Sequence, residues 1–341
     1  MASVNIKVLA KSLGLSPSTV SKALRDSYEI SQKTKQRVVE LAQKLHYTPN
    51  PYASGLRRKN SKTIAIVVPE VEDSFFSKAI NGIESVAHSL GYHVLIYLTH
   101  ENSAIENSIL KDLVNGRVDG IVISVTSETR SPQYLLDYCQ SGRPLVFFDR
   151  VVDEIPVHKV MTDDFQAGYL ASRHLIDNGC KNILFLSIGE SLNIMKRRNL
   201  GSIQSIKDYR HKQGIKYKSI DCTADPDQAY KIIKKVLQSK AKPDGIIGAV
   251  EKLAISAYQV CRDLKIDIPK QVKVVAFSNL PIAELLNPGL TTIRQPAYEI
   301  GKVAAELLFD GLIKLRSPYT PKSITLPSIL ESRASSRMLN R

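Results

Sequence analysis

The chain has 341 residues, of which 43% are hydrophobic and 23% are charged, and this composition is ordinary for a globular protein of two or three domains. No apolar run approaches the length of a membrane-spanning helix, and the short polar segment after Met1 lacks the apolar stretch of a secretory signal. The four cysteines lie far apart, with neither a CxxC pair nor a metal-ligand spacing, so we expect reduced thiols, no metal site and a cytoplasmic protein.

The net charge of +14 is concentrated near the start of the chain. Residues 1–60 hold 11 Lys+Arg and 3 Asp+Glu, a net +8, whereas the other 281 residues hold 36 and 30, a net +6. A small basic module favours a polyphosphate partner, most simply DNA. An anionic membrane is the competing partner, but the lysines do not line one face of a long amphipathic helix. We therefore expect DNA and no membrane as the partner.

The first residues predict two short helices joined by a tight turn. Apolar side chains at helical spacing over residues 6–13 predict the first helix, and Gly14 can adopt the positive φ that its end requires. Ser16 is a good N-cap and Pro17 a good first helical residue, so a second helix begins at once. Small and β-branched residues between the two helices allow the angled packing of a helix-turn-helix.

A third helix and a basic segment follow. Ser31 caps the third helix, apolar residues at 38–45 form its inner side, and His46 stands where a left-handed residue is needed. Residues 49–61 contain a possible short helix that Gly55 weakens by about 1 kcal/mol relative to alanine. Two readings of this segment stay open: a solvated basic linker, or a helix that forms only when a partner supplies contacts.

From Thr63 onward, strand patterns alternate with helical patterns, which predicts parallel sheets with helices on both faces. Two such series predict two doubly wound lobes that face each other, with a cleft at the C-terminal ends of the strands. The predicted elements, in order, are strand 63–68, helix 75–90, strand 93–98, helix 104–115, strand 120–124, helix 132–141, strand 145–149, helix 165–178, strand 183–187, helix 196–212, strand 218–221, helix 226–238, strand 245–250, helix 253–264, strand 272–277 and helix 298–315.

Five short motifs together give the chain a specific resemblance. They are Ser16–Leu24 (SPSTVSKAL), Tyr47–Asn50 (YTPN), Ala53 with Leu56 before an arginine, Leu290–Pro296 (LTTIRQP) and Glu299–Gly301 (EIG). With these motifs the chain resembles the lac repressor/galactose repressor (LacI/GalR) family over residues 4–333. The resemblance implies a homodimeric transcription factor whose effector domain has the fold of type I periplasmic binding proteins, with a small molecule bound between the lobes.

The resemblance also implies a domain plan. It has a small all-α helix-turn-helix domain at 1–48, a hinge helix or linker at 49–61, a two-lobed α/β effector-binding and dimerisation domain at 62–333, and an exposed tail at 334–341. Within the large domain, we expect lobe 1 to comprise about 62–161 and 291–322, and lobe 2 about 162–290 and 323–333.

The predicted DNA-binding surface is the N-terminal face of the second helix, which would enter the major groove. Lys22 can donate to guanine or phosphate, and hydroxyl groups on this face suit phosphate contacts. A protein-binding three-helix bundle is the alternative for the whole module, and Arg25 could equally be solvated. The predicted residues are Asn5, Ser16, Pro17, Ser18, Thr19, Ser21, Lys22, Arg25, Ser31, Asn50, Ala53, Leu56 and Arg57.

In the family, the linker forms a hinge helix on DNA, and its leucine wedges into the minor groove; Leu56 matches that leucine, and Ala53 matches the small residue before it. The sequence departs from the family at Ser54 and Gly55, where a long basic residue and a serine are usual. We therefore expect the hinge to order only on DNA, with Arg57 as a compensating phosphate contact.

The resemblance places effector-binding candidates at the ends of the predicted strands. Val250 and Ser278 stand where many sugar-binding members have an amide and a carboxylate, which predicts an anionic ligand such as a sugar acid or phosphate, held by basic side chains. The alternatives are that the two phenylalanines are only core residues and that Arg150 forms an interlobe ion pair. The predicted residues are Asp73, Phe75, Phe76, Asp149, Arg150, Lys196, Arg198, Glu251, Ser278 and Gln295.

The sequence thus predicts a DNA-binding transcriptional regulator, a repressor that acts on a pseudo-palindromic operator as a homodimer and answers to a small metabolite, most simply a sugar or sugar derivative. No cofactor and no catalytic residue is expected, because no P-loop, GxGxxG, nucleophile elbow or metal cluster appears. Three rivals remain: an exported ligand-binding protein, an enzyme built on the parallel sheets, and a DNA-binding protein with a ligand-free cleft.

Overall fold

The computed structural model of the chain describes residues 5–47, 61–129, 133–189, 192–209, 214–223, 225–313 and 320–337. It divides the chain into two compact units, residues 1–61 and 62–341. The hinge predictions for the linker fall outside the described residues; they concern Asn50, Ala53, Leu56 and Arg57.

The first unit consists of the helices α1 (Ile6–Leu13), α2 (Pro17–Leu24) and α3 (Gln32–Lys44). Gly14 ends α1 at φ 65°, and His46 follows α3 at φ 49°, so both predicted left-handed positions are confirmed. The buried side chains come from all three helices, which makes one small core of mostly small residues: Leu9, Ala10, Val20, Ala23, Val38 and Ala42.

The second unit contains two six-stranded sheets with helices on their faces. The strands are β1 (Thr63–Val68), β2 (His93–Leu98), β3 (Gly120–Ile123), β4 (Leu145–Phe148), β5 (His158–Thr162), β6 (Asn182–Ser187), β7 (Lys216–Asp221), β8 (Gly245–Gly248), β9 (Lys273–Phe277), β10 (Thr291–Arg294), β11 (Ser323–Leu326) and β12 (Ile329–Glu331). The helices are α4 (Ser74–Ser89), α5 (Ser103–Leu113), α6 (Gln133–Gln140), α7 (Asp164–Asp177), α8 (Asn193–Asp208), α9 (Pro226–Leu237), α10 (Glu251–Asp263) and α11 (Ala297–Ile313).

Each sheet forms the centre of one lobe. The strand order is β11-β5-β4-β3-β1-β2 in lobe 1 and β12-β10-β9-β8-β6-β7 in lobe 2, and every pairing is parallel except that of β10 with β12. Along β1 the residues alternate between two cores, with Ile64 and Ile66 packed on one face of the sheet and Ala65 and Val67 on the other. Because both faces are covered by helices, all six residues of β1 are buried. The predicted doubly wound lobes are confirmed.

The chain crosses between the lobes at other positions than predicted. Residues 291–294 form β10, which pairs with β9 in lobe 2, whereas residues 323–326 form β11, which pairs with β5 in lobe 1. The predicted division, with 291–322 in lobe 1 and 323–333 in lobe 2, is therefore wrong at both ends. The crossings follow β10 and β11, since these short strands complete the sheets before the chain leaves each lobe.

The prediction of an exposed tail at 334–341 is wrong for its first residues. Ser335 and Ser336 are fully buried. The Ser335 hydroxyl donates to the carbonyl of Val274 at 2.6 Å and accepts from the backbone N–H of Thr291 at 2.8 Å. The segment is held because it satisfies backbone groups at the start of β10 and in β9.

Gly301 explains part of the EIG motif in physical terms. In α11, a Cβ at Gly301 would lie 2.0 Å from the carbonyl oxygen of Ala79 in α4, so these two helices meet backbone to backbone. At Gly311, ten residues further along α11, the nearest atom would be 3.5 Å away, an ordinary contact. Only the first glycine is required by close packing.

We therefore expect Gly301→Ala to destabilise the second unit by about 1–3 kcal/mol, because α4 and α11 must move apart. Gly311→Ala should be neutral or stabilising by up to about 1 kcal/mol through helix propensity. Urea unfolding followed by circular dichroism gives both free energies. Equal effects of the two substitutions would contradict the close packing.

Candidate functional site

The predicted DNA-binding face of α2 is present and open. Ser16 caps the helix, with its hydroxyl oxygen accepting the N–H of Thr19 at 3.1 Å, and Pro17 occupies the first helical position. Ser16, Pro17 and Ser18 are exposed, and Thr19 and Ser21 are half-buried. The unpaired N–H groups of a helix start attract phosphate oxygens, so this end of α2 can face a DNA backbone.

The other predicted DNA contacts of the first unit have identifiable partners within the unit. Asn5 and Ser31 cap α1 and α3, and their side-chain oxygens accept backbone N–H groups. The ammonium of Lys22 pairs with Glu29, and Arg25 donates to the carbonyl of Ser21 at 3.0 Å. The Lys22–Glu29 pair is about half exposed, so breaking it costs little free energy. Lys22 can therefore leave Glu29 and contact DNA instead.

The second unit encloses a cavity between the lobes, which we call the inner cavity. It holds about 360 Å3 of space not filled by atoms, counting space open to solvent, at the C-terminal ends of β1, β4, β8 and β9 and beside α8. The structure brings eight of the ten predicted effector residues together around it, while Lys196 and Glu251 are not in its lining. The eight are Asp73, Phe75, Phe76, Asp149, Arg150, Arg198, Ser278 and Gln295.

Phe75 and Phe76 belong to the hydrophobic core of lobe 1 and also line the inner cavity. Asp73 caps α4 by accepting the N–H of Phe75 at 2.8 Å, which fixes where the aromatic pair begins. The rings of Phe75 and Phe76 meet edge to face at 5.5 Å, and Phe76 meets Phe148 in the same way at 6.3 Å. Both side chains are at least 95% buried, so they form an apolar wall that an aliphatic ring face can contact.

Two carboxyl groups face the cavity with altered acidity. Asp149 follows β4 in a left-handed conformation, φ 58°, and is buried. Burial raises the pKa of Asp149 to about 7, although Arg150 and Arg198 act in the opposite direction. Burial also raises the pKa of Asp73, against the hydrogen bond from the Phe75 N–H. At neutral pH the Asp149 carboxyl can therefore either donate or accept a hydrogen bond.

Arg150 lies at the edge of the cavity with one donor unused. Its Nη1 donates to Glu101 at 2.6 Å, and its guanidinium lies 5.5 Å from the Phe76 ring centre. Its Nε has no hydrogen-bond partner among the described residues, and neither has the side-chain Nε2 of Gln295, which also lines the cavity. A buried donor without a partner is costly, so both groups favour a ligand that brings acceptor oxygens.

Arg198 is occupied by the protein itself. Its Nε donates to Asp164 at 2.7 Å, its Nη1 donates to the carbonyl of Ala249 at 2.6 Å, and its guanidinium lies 4.2 Å from the Phe277 ring centre. Both members of the Arg198–Asp164 ion pair are 3% exposed. Burial raises the pKa of Asp164 even though Arg198 opposes the shift. The primary role that the geometry gives Arg198 is to hold the wall of the cavity.

Glu251 joins the lobes instead of lining the cavity. Its carboxylate accepts hydrogen bonds from Ser74 of lobe 1 and Ser278 of lobe 2, both at 2.5 Å. Nearby, Lys252 pairs with Glu70 at 2.9 Å, and Lys78 donates to the carbonyl of Asn279 at 2.7 Å. The predicted contact Lys196 is exposed and lies in a neighbouring pocket.

Four lining residues were not among the predicted effector residues: Ile194, Val250, Phe277 and Asn279. The Asn279 side chain bonds the backbone N–H and carbonyl of Gln295, at 3.1 and 2.7 Å, and so ties β9 to the segment after β10. Phe277 could have been found as the last apolar residue of a strand that ends at the cleft. Ile194 could not, because the predicted start of its helix was three residues late.

A helix-turn-helix unit followed by a two-lobed α/β unit with a polar interlobe cavity is the architecture of a DNA-binding regulator with a binding-protein-like domain. Comparison with known families agrees with this architecture. The profile described as "Bacterial regulatory proteins, lacI family" matches residues 5–50, and the profile "Periplasmic binding proteins and sugar binding domain of LacI family" matches residues 61–325. The chain belongs to the LacI family of DNA-binding transcriptional regulators. Among the described residues, no helix is long and apolar enough to cross a membrane.

Individual relatives match most of the chain. The ribose operon repressor of Halalkalibacterium halodurans is 28% identical over 310 residues, which is 91% of this chain and 90% of the relative. A LacI family regulator from Enterococcus faecium with bound ribose is 25% identical, covers 82% of this chain and 100% of its own, and has a TM-score of 0.72. The lac repressor dimer bound to operator and an anti-inducer is 20% identical, covers 98% and 99%, and has a TM-score of 0.82, which establishes the shared fold.

Proposed function

We propose that this chain is a transcriptional repressor whose affinity for a pseudo-palindromic operator is set by a sugar or sugar derivative bound in the inner cavity. The observation that carries the effector part is a pair of buried donors, Arg150 Nε and Gln295 Nε2, that have no hydrogen-bond partner among the described residues. They line a cavity that also holds carboxyl groups and an aromatic wall. Polyhydroxylated ligands satisfy donors and acceptors together and contact apolar walls with their ring faces. The ribose bound by the Enterococcus relative and the ribose operon of the Halalkalibacterium relative support this class of effector.

The charges favour a neutral ligand over the anionic one that the sequence predicts. The guanidinium of Arg198 is paired with Asp164, that of Arg150 is paired with Glu101, and Lys196 lies outside the cavity lining. Two further carboxyl groups, Asp73 and Asp149, line the cavity itself. An added carboxylate or phosphate would therefore meet little unpaired positive charge there.

The DNA function is tested with the full chain and a pool of random duplexes. We expect selection to yield two inverted half-sites, and we expect the logarithm of the association constant to fall steeply and linearly with the logarithm of salt concentration. Ser18→Asp should weaken binding to the selected site about 100-fold, because it places a carboxylate at the exposed face of α2. The same change favours the helix start, so folding should be retained.

Ala104→Asp is the matched control, since Ala104 is also exposed and second in its helix, α5, but lies in the other unit. It should leave DNA affinity within twofold of that of the unaltered chain. A pool that yields no preferred sequence would refute the regulator, and equal effects of the two substitutions would refute the assignment of α2. In a second experiment, sugars are added to the complex of the chain with its selected operator. We expect a sugar to change the affinity of the chain for the operator, either by releasing the DNA or by tightening its binding.

A further inference from the structure

A second, larger pocket adjoins the inner cavity, and we call it the outer pocket. It holds about 1130 Å3 of space not filled by atoms, counting space open to solvent, and is lined by residues from 125–129 after β3, 150–154 after β4 and 192–196 at the start of α8. Arg150 lines both the inner cavity and the outer pocket. The two spaces are therefore neighbours on either side of one guanidinium group.

The lining of the outer pocket combines an apolar floor with a hydrogen-bonding edge. Val125 and Leu192 are each 4% exposed and provide apolar surface. Ser127 and an amide at the start of α8 belong to this edge. The hydroxyl groups of Thr126 and Thr129 also line it, but they bond to each other at 3.0 Å and Thr129 donates to Glu106, so they serve a ligand as acceptors. A sugar ring has the matching surfaces, because its faces are apolar and its edge carries hydroxyl groups.

Among the described residues, the formal charges that line the outer pocket balance. Arg150 and Lys196 are positive, and Asp153 and Glu154 are negative. Glu101, just behind Arg150, has its pKa held below the usual range by Arg150 and by the N–H of Ser127, although burial alone would raise it. A neutral polyhydroxylated group therefore suits this lining better than an anion.

At the outer pocket, a solvent-accessible hydrogen bond joins the two lobes across the cleft. Asn193 of lobe 2 donates to Asp153 of lobe 1 at 2.7 Å, and this pair is solvent-accessible. Other contacts between the lobes are the buried Ser74–Glu251 hydrogen bond and the Lys252–Glu70 ion pair. Since a hydrogen bond that water can replace is worth little, a ligand enters most easily past Asn193.

We propose that the effector is a glycoside of at least two sugar units, with one unit in the inner cavity and the next in the outer pocket. The Nε of Arg150 has no hydrogen-bond partner among the described residues and lies 3.9 Å from the Asp149 carboxylate, too far for a hydrogen bond. It donates to an oxygen at the junction between the two units. This inference rests on the proposed function and specifies the length of the ligand.

The test is isothermal titration calorimetry of the full chain with matched sugars. The disaccharides are cellobiose, maltose, lactose, sucrose and trehalose, and the monosaccharides are their components with ribose added. We expect one disaccharide to bind at least tenfold more tightly than either of its components. Asn193→Trp, which places a bulky ring in the outer pocket, should reduce the disaccharide affinity at least tenfold and reduce monosaccharide affinity much less.

Lys207→Trp is the control, because Lys207 is exposed on the same helix and lies outside both linings. A disaccharide that binds no better than its components, or an equal loss for both sugars in Asn193→Trp, overturns the inference. Binding of none of the disaccharides overturns it as well. If the chain binds monosaccharides alone and these release DNA, the two-unit ligand is refuted and the proposed function stands. The comparison of sugars uses the unaltered chain, so it does not depend on whether a variant folds.

Discussion

Replacement of Arg198 by methionine is expected to lower the free energy of unfolding of the second unit by about 3–5 kcal/mol. The substitution removes the partner of Asp164, whose carboxylate is 3% exposed and lies 2.7 Å from the guanidinium. It also leaves the carbonyl of Ala249 without its donor. A buried charge that loses its partner costs far more than a surface charge, because neither water nor another side chain replaces the lost contact.

The loss should depend on pH. Without Arg198, the pKa of Asp164, which burial already raises, rises further, and the variant can relieve the unpaired charge by binding a proton. A carboxyl with a raised folded-state pKa favours folding below its unfolded-state pKa and loses that benefit as pH rises toward the folded-state value. The deficit of Arg198→Met should therefore be smaller at pH 5 than at pH 8.

Urea unfolding at both pH values measures the deficit, with Arg197→Met as the control, since Arg197 is the exposed neighbour on α8. The control should change stability by less than about 1 kcal/mol. Asp164→Leu with Arg198→Met should recover much of the loss, because the charge and its missing partner are removed together. A single variant as stable as its control would mean that the ion pair does not hold the cavity wall.

Local chemistry accounts for the parts of the fold that the sequence predicts well. The turn of the first unit depends on Gly14, Ser16 and Pro17, which act on their immediate neighbours, and the structure has each in the predicted role. The left-handed position of His46 follows from the end of α3 in the same way. Such features need no knowledge of distant segments.

The missed strands depend on distant partners. The four missed strands are β5, β10, β11 and β12. They are three to five residues long, and each is a strand because a neighbour elsewhere in the chain offers an open edge. Their own sequences are too short to show a period of two with any weight. Because β10 and β11 were not predicted, the positions at which the chain crosses between the lobes were also predicted wrongly.

Side-chain direction explains where the candidate site differs from its prediction. The predicted helix began at Lys196, but α8 begins at Asn193. Ile194 and Arg198, four residues apart, then share the face toward the inner cavity, while Lys196 lies about half a turn away. Glu251 is the first residue of α10, and its carboxylate turns to Ser74 and Ser278, because both hydroxyl groups donate to it.

Asp149→Asn is expected to stabilise the second unit, and more so at high pH. The pKa of Asp149 in the folded chain is about 7, against about 3.9 for an unfolded aspartate, so the folded state holds more protons between these values. The free energy of unfolding of the unaltered chain therefore falls through this group as pH rises toward 7 and levels off above it. Asparagine resembles the protonated acid and tolerates the left-handed φ of 58°.

The stability difference between Asp149→Asn and the unaltered chain should thus grow by about 2–3 kcal/mol between pH 5 and pH 8. Urea unfolding of both proteins across this pH range measures the stability difference. Groups that the substitution leaves undisturbed titrate alike in both proteins, so their contributions cancel in this difference. Asp137→Asn, at an exposed position on α6, should give a difference that stays flat with pH. A flat curve for Asp149→Asn would show that its carboxyl ionises in the folded chain as it does in water.

The same substitution separates the stability of the unit from the chemistry of its cavity. A carboxylate at Asp149 is costly to the fold at neutral pH, and the acceptor it provides beside Arg150 is what a hydroxylated ligand would use. Asp149→Asn should therefore weaken binding of the effector sugar while it raises stability at pH 8. If calorimetry found tighter sugar binding in the variant at pH 8, the carboxylate would be a barrier to the ligand, and the donors Arg150 and Gln295 would carry recognition without it.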